Sequence, residues 1–428
     1  MLKRITRRRF IGTGAACLAS TVLLAGCNAN HRHGKGSGLP PADDDIGDDD
    51  DGGALGPDGV LLGLYTANSA ATPEEAVRLV LQGLDWSWLS TGDSVLIKVA
   101  CNSGKLHPSV TSPASVRAVA SELFKRGAGR VLVADQSGVE YVRSADGGRR
   151  FGQTRGLMQS NGLLQAIVDA GAEPWFFDEQ DYDAGYFEAS LPFSDQHWDT
   201  PPHVPAIIRD VDHIVYPPRL SSHMIAGYTH GHKCAIGWLR DDSRHQLHFK
   251  ADSLHEKFVE VNYCSEIRDR HRLTVTLAEQ LLLDAGPDAG TIAEPDQWIV
   301  LASPHLANHD AMSVAALAYV DDKTPASGAG LLTPYGNGSD LYNRGLLAMI
   351  PMLSGIPWTS DAPGGYTQLA IHDYQAGIAS DRALTRAYEI LGGVPASISV
   401  RLMGEEPAQE FRNFLEAFNN RIFDLVVS

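Results

Sequence analysis

"DSVLIKVACNSGKLHPSVTSPASVRAVASELFKRGAGRVLVADQSG", residues 93–138, decides the fold. Two short apolar runs, "DSVLIKVA" and "RVLVADQSG", flank a segment in which Val116, Val119 and Leu123 recur at helical spacing before Gly127. Such runs read as strands buried on both faces, and the segment between them has the period of an amphipathic helix. Strand, helix and strand with loops this short make the two strands parallel neighbours under helical cover.

The same unit recurs outward in both directions. Upstream, "GVLLGLYT" (59–66) is a short apolar run, and "TPEEAVRLVLQGLDW" (72–86) starts a helix with Thr72 as cap, Pro73 at the first helical position and acids in the first turn. Downstream, "NGLLQAIVDAGAEPWFFD" (161–178) gives a helix closing at Gly171 and a strand across Pro174 to Phe177, and "DHIVYPP" (212–218) is a further strand. Helices are expected near 252–262, 273–284, 307–319, 380–391 and 407–421, with "QWIVLAS" (297–303) as another strand. The expected fold is α/β: a mostly parallel sheet with helices on both faces, plus an irregular Gly/Pro-rich insertion over 324–367 and C-terminal helices.

In open parallel sheets, ligands sit in the crevice beyond the carboxyl ends of the strands. Lys98, Asn102 and His107 follow one strand, and Asp135 and Ser137 follow the next. Arg219, His223, His230, His232 and Lys233 follow "DHIVYPP". Three polar loops are therefore expected to converge on one small-molecule site. Its candidate catalytic residues are Lys98, Asp135 and Lys233, with Asn102 and Arg219 as ligand-binding residues.

Residues 223–248 hold five of the chain's 16 histidines. His107, His223, His230 and His232 are the candidate ligands of one divalent transition metal, which imidazoles bind readily. His245, His248, Asp252 and His255 would share a face if one helix ran through them. The reading preferred for "RDDSRHQLH" is a solvated turn, with Asp252 capping the helix that follows. Cys234 reads as a small buried residue. With Cys101 and Cys264 it is one of three cysteines beyond Cys27, none in CxxC spacing. That excludes a four-cysteine zinc site or iron-sulfur cluster within the chain, and leaves one disulfide open. No GxSxG elbow is present, nor a GxGxxG or phosphate-binding loop in its required context.

The N-terminus reads as an address. "TRRRFIGTG" (6–14) and the apolar run Ala15 to Ala25 have the anatomy of an export signal of the twin-arginine type. "LAGC" (24–27) resembles a lipobox, making Cys27 the lipidated first residue of the mature chain. Residues 28–58 follow as an acidic disordered linker with seven aspartates between Asp43 and Asp51. The α/β domain then spans 59–428. The expected location is the periplasmic side of the cell envelope, with a lipid anchor as the membrane contact. The formal net charge of -17 becomes more acidic once the basic signal is removed, which argues against nucleic acid as a partner.

"VLIKVACNSGKLHPSVTSPASVRAVASELFKRGAGRVLVADQSG" and "IVYPPRLSSHMIAGYTHGHKCAIGWL" (214–239) resemble the two blocks of the bacterial and archaeal "domain of unknown function 362" family, over roughly 60–270. Lys98, Asn102 and Asp135 match the first block. In the second, His223 matches the family's His and Lys233 its second Lys. Arg219 or Ser221 stands near the first Lys position, and Cys234 replaces an Asn. The resemblance implies the fold and a pocket and leaves the reaction open.

Two functions fit. One is an envelope enzyme whose divalent metal polarises an oxyanion or activates water, while Lys98 and Lys233 hold a small anionic substrate and Asp135 orients a ligand or acts as base. The other is a non-catalytic tethered lipoprotein that captures a metal or small anion in the same crevice.

Overall fold

A computed structural model describes residues 55–223, 226–249, 253–283, 286–324, 378, 381–418 and 422–427. The signal segment, Cys27, most of the acidic linker, Asp252 and the Gly/Pro-rich insertion beyond Thr324 lie outside the described residues. In Ser94–Lys98, the residues Val95, Leu96 and Ile97 are fully buried, as a doubly covered strand requires. The strand pairs in parallel with Arg130–Asp135 on one side and His213–Tyr216 on the other. Between the first two runs the helix Pro113–Lys125 forms as expected, with Pro113 in its first turn.

Nine strands make the main sheet. Their order is Phe423–Val427, Ile398–Gly404, Val60–Tyr65, Trp298–Ser303, His271–Ala278, His213–Tyr216, Ser94–Lys98, Arg130–Asp135 and Glu173–Phe176. Trp298–Ser303 runs antiparallel to both neighbours, and every other pairing is parallel. The fold is thus mixed α/β with a mostly parallel sheet.

Each face carries its own apolar layer, because successive strand residues point to opposite sides. Val95, Ile97, Val131 and Val133 pack with Val77, Val80, Val116 and Val119 of the helices Pro73–Gln82 and Pro113–Lys125. Leu96, Leu132 and Ile214 face the other way, onto the layer containing Trp238, Phe258, Met312 and Leu384. That layer takes the helices Leu254–Asn262, Leu306–Lys323 and Arg382–Leu391. Among the described residues no helix is long and apolar enough to cross a membrane.

Three expectations are corrected. The segment expected as a helix over 273–284 is the strand His271–Ala278 followed by the strand Leu281–Leu283. Leu273, Val275 and Leu277 alternate with Thr274 and Thr276, the period of a strand, and the β-branched triplet Thr274-Val275-Thr276 fits a strand paired on both sides. The C-terminal region holds two strands as well as helices. In Ile398–Gly404, buried Ile398, Val400 and Leu402 alternate with more exposed residues, and the last expected helix ends at Ala417. "RDDSRHQLH" is not a solvated turn but most of the helix Asp241–Phe249, with Asp241 and Arg244 buried.

The strand order creates one switch point beside Lys98. The chain leaves Ser94–Lys98 towards Arg130–Asp135, whereas it leaves His213–Tyr216 in the opposite direction, towards His271–Ala278. The loops beyond these adjacent strands diverge and open a crevice at their carboxyl ends.

Candidate functional site

A cavity of about 140 Å³ occupies that crevice. Lys98, Asn102, Asp135, Arg219, His223 and Lys233 all line it, so the structure brings together six of the ten residues named on the three loops. His107, His230 and His232 are not among its walls.

Strand periodicity puts Lys98 on the same face as Leu96, aimed under the histidine-rich segment. Its ammonium is 2.7 Å from Asp135 Oδ1 and donates to the carbonyls of Val99 at 2.8 Å and Cys234 at 3.0 Å. Three N–H groups meet three acceptors, so Lys98 has no donor left for a ligand. Asp135 Oδ1 also accepts from Gln136 N at 2.9 Å, and Oδ2 accepts from Cys101 N at 2.6 Å. Burial pushes the Asp135 carboxyl up, against the pull of the Lys98 charge. The backbone of Gly237 lies directly on this pair. A Cβ there would stand 2.1 Å from Asp135 Oδ1 and 2.3 Å from Lys98 Nζ, so only glycine permits the approach.

Arg244, from the helix that follows, ties the same loops together. Its guanidinium donates to the carbonyls of Leu239 at 2.8 Å, Ser137 at 2.5 Å and Gln136 at 2.8 Å. One turn on, His248 Nδ1 lies 2.7 Å from the Arg244 carbonyl. Since a carbonyl only accepts, Nδ1 carries the proton of the neutral ring, leaving Nε2 as the proton acceptor. Burial, helped by Lys233, brings the His248 ring down to about 4, so it is neutral at pH 7.

Asp288 braces the side of the cavity formed by Asn102 and Pro287. Its carboxylate accepts from Asn102 Nδ2 at 2.9 Å, Ser103 Oγ at 2.8 Å and Tyr141 OH at 2.9 Å. The preceding Pro287 carbonyl accepts from Arg219 Nη1 at 2.9 Å, and the Ser109 carbonyl accepts from the same nitrogen. Asp288 and Arg244 were not selected from the sequence, because each lies far from the strand ends and meets them only through the fold.

Two cations have no ion pair among the described residues. Arg219 is buried, and its Nε has no hydrogen-bond partner. Half-buried Lys233 makes neither hydrogen bond nor ion pair with a described residue. Burial, then the Arg219 charge, brings the Lys233 amine down to about 7, and burial brings Arg219 down to about 10. Burial holds the His223 ring well below its ordinary value, with Lys233 and Arg219 adding to the effect. Glu140 stands at the exposed rim. Asp288 is near enough for its charge to act on both cations but pairs directly with neither, so the interior keeps two cations without a contact ion pair, a setting suited to an anion.

The four candidate metal ligands do not form one set. His107 Nδ1 donates to the Val110 carbonyl at 2.9 Å, and its Nε2 lies 3.4 Å from Glu279 Oε2. His230 stacks on Tyr228 with ring centroids 4.4 Å apart. His232 Nδ1 lies 2.8 Å from Asp310 Oδ2, and His232 Nε2 lies 3.1 Å from Tyr263 OH. Only His223 reaches the cavity. Among the described residues no three His, Cys, Asp or Glu side chains are grouped to hold a metal. Cys101, Cys234 and Cys264 are buried free thiols, and burial pushes Cys101 and Cys234 up to about 12, which removes them as thiolate nucleophiles.

The family described as "Domain of unknown function (DUF362)" matches residues 95–315, from within the Lys98 strand into the helix Leu306–Lys323. No curated protein matches the chain. Among solved structures, the lactate racemase apoprotein from Thermoanaerobacterium thermosaccharolyticum is similar at a TM-score of 0.37 and 11% identity, over 86% of this chain and 94% of that one.

Proposed function

The chain belongs to the DUF362 family, and on that premise we propose that its strand-end cavity binds a small organic anion and carries out proton-transfer chemistry on it. The observation that supports this reading is the pair of cations, Arg219 and Lys233, that line the cavity without a contact ion pair among the described residues. Arg219 supplies positive charge for the anion at the cavity wall. Lys233 and His248 are the proton carriers, one near neutrality and the other with its proton on Nδ1 and an unprotonated Nε2. Lys98 and Asp135 position the loops and do not touch the ligand. A volume of about 140 Å³ is close to the ~150 Å³ that accommodates a benzene-sized guest. The ligand is therefore an acid of roughly six non-hydrogen atoms, by that comparison.

The metal reading has no support from the described side chains, and no step is assigned to a metal. Calorimetric titration with small mono- and dicarboxylates tests the anion site. Arg219→Gln and Lys233→Met should each weaken binding by roughly 10- to 100-fold, the usual value of a charge-assisted hydrogen bond. Unchanged affinity in both variants would sink the site.

We also propose that the domain is held on the periplasmic side of the envelope through lipidated Cys27, on the strength of the twin-arginine and lipobox motifs alone. Cys27→Ser should then move the protein from the membrane fraction to the soluble one. Retention in the membrane fraction would refute the anchor.

A further inference from the structure

An anion site needs positive charge, but it does not need an amine left without a partner inside a walled cavity. Lys98 shows how this fold treats a lysine whose role is internal, with every N–H assigned to an acceptor. Lys233, on the same cavity, has none among the described residues. Its nitrogen is therefore available to react as well as to attract. Arg219 stands close enough for its charge to act on Lys233, and His223, Thr229 and His248 complete the surrounding wall.

We propose that Lys233 forms an imine with the carbonyl carbon of a small 2-oxo acid whose carboxylate lies against Arg219. The inference rests on the anion-site reading above and deepens it by naming the substrate class. The Nζ lone pair attacks the carbonyl carbon, and the carbonyl oxygen takes the proton lost from nitrogen to give a carbinolamine. Loss of that hydroxyl with a second nitrogen proton, as water, leaves the C=N bond. No oxidant or reductant is consumed. His248 serves as the proton carrier for both transfers, because the Arg244 carbonyl fixes its proton on Nδ1 and leaves Nε2 to accept. The imine then withdraws electrons from the neighbouring carbon, which is what a carbon acid needs in order to lose a proton.

The test is reductive trapping on the full chain with borohydride, which supplies the hydride. Three probes are used: pyruvate, a small aldehyde without a carboxylate, and acetate as the anion lacking a carbonyl. Peptide mass mapping should find the reduced pyruvate adduct on Lys233, and Lys233→Arg, checked for folding by its thermal melt, should lose it. Arg219→Gln should lower the pyruvate yield about tenfold or more while leaving the aldehyde yield unchanged, since only the acid uses that contact. Acetate should protect Lys233 from both. If calorimetry shows pyruvate bound but no adduct reaches Lys233, or adducts fall equally on surface lysines of parent and Lys233→Arg, the imine is wrong and the anion site stands. If no probe binds and none is trapped, both readings fall together.

Discussion

Two clusters of basic side chains flank the segment His230 to Cys234, and they treat charge in opposite ways. On the interior side, Asp310 accepts from the backbone N–H groups of Gly231 and His232, both at 2.8 Å, and meets the Nδ1 atoms of His232 at 2.8 Å and His309 at 2.9 Å. His309 Nε2 lies 3.0 Å from Thr276 Oγ1. Burial pushes the Asp310 carboxyl up, yet His232 and His309 outweigh it and hold the group well below the usual carboxylate range. On the cavity side, one residue further along the chain, Lys233 lines the cavity with Arg219 as its neighbour and no contact ion pair among the described residues. The contrast teaches that a ligand-like residue type is not evidence of a ligand. Histidines whose partners are already internal hold the loop in place, and the cations left unpaired are the ones available to a guest.

The sharpest way to break this contrast is to remove the interior anion. Asp310→Ala strips four partners from a buried carboxylate and leaves two imidazoles and two N–H groups without an acceptor. Chemical denaturation should show a loss of about 3–5 kcal/mol, the usual result of deleting one member of a buried charged network. A loss below about 1 kcal/mol, the scale of an exposed ion pair, would mean that the interior cluster does not anchor the loop.

On the cavity side the prediction for stability is reversed. Burial holds Lys233 below its ordinary value of 10.5, so between about pH 7 and that value the unfolded chain binds a proton that the folded chain does not. The stability of the parent should therefore rise with pH across that window, and Lys233→Met should lose this rise without being less stable at pH 7. A variant that melts well below the parent would make Lys233 a structural residue like Lys98.

The smallest expected effect sharpens the ligand reading. A bound anion favours the protonated amine, so carboxylate affinity should be full below about pH 7 and decline as pH rises through it. The decline should be at most about tenfold per unit, and it should vanish in Lys233→Met. A pH-independent affinity in the parent would place the anion away from this amine.

The architecture was largely legible because parallel strands advertise themselves as uninterrupted apolar runs and their helices as a 3.6-residue period. "VLIK" and "RVLVAD" needed no partner to be recognised. "HRLTVTLA" was legible too, since Leu273, Val275 and Leu277 alternate with Thr274 and Thr276, but the apolar run Leu281 to Leu283 beyond it drew the reading towards one long helix. The strand-end rule also found the loops that make the cavity, from Lys98 to Lys233. It gave no means of dividing them into internal and ligand-facing groups. Selecting histidines by their spacing from one another failed for the same reason, since the partners of His232 are Asp310 and Tyr263, 78 and 31 residues away.

The sequence by itself determined the parallel sheet, the family and the three loops at its carboxyl edge, because these follow from local period and from the direction in which a parallel strand delivers the chain. Only the tertiary structure decided that Lys98 is spent on Asp135, that Asp288 and Arg244 brace the walls, that the histidines do not form one metal set and that Lys233 has no partner among the described residues. Whether a polar atom is satisfied depends on groups brought from anywhere in the chain to within about 3 Å, and no local pattern encodes that distance.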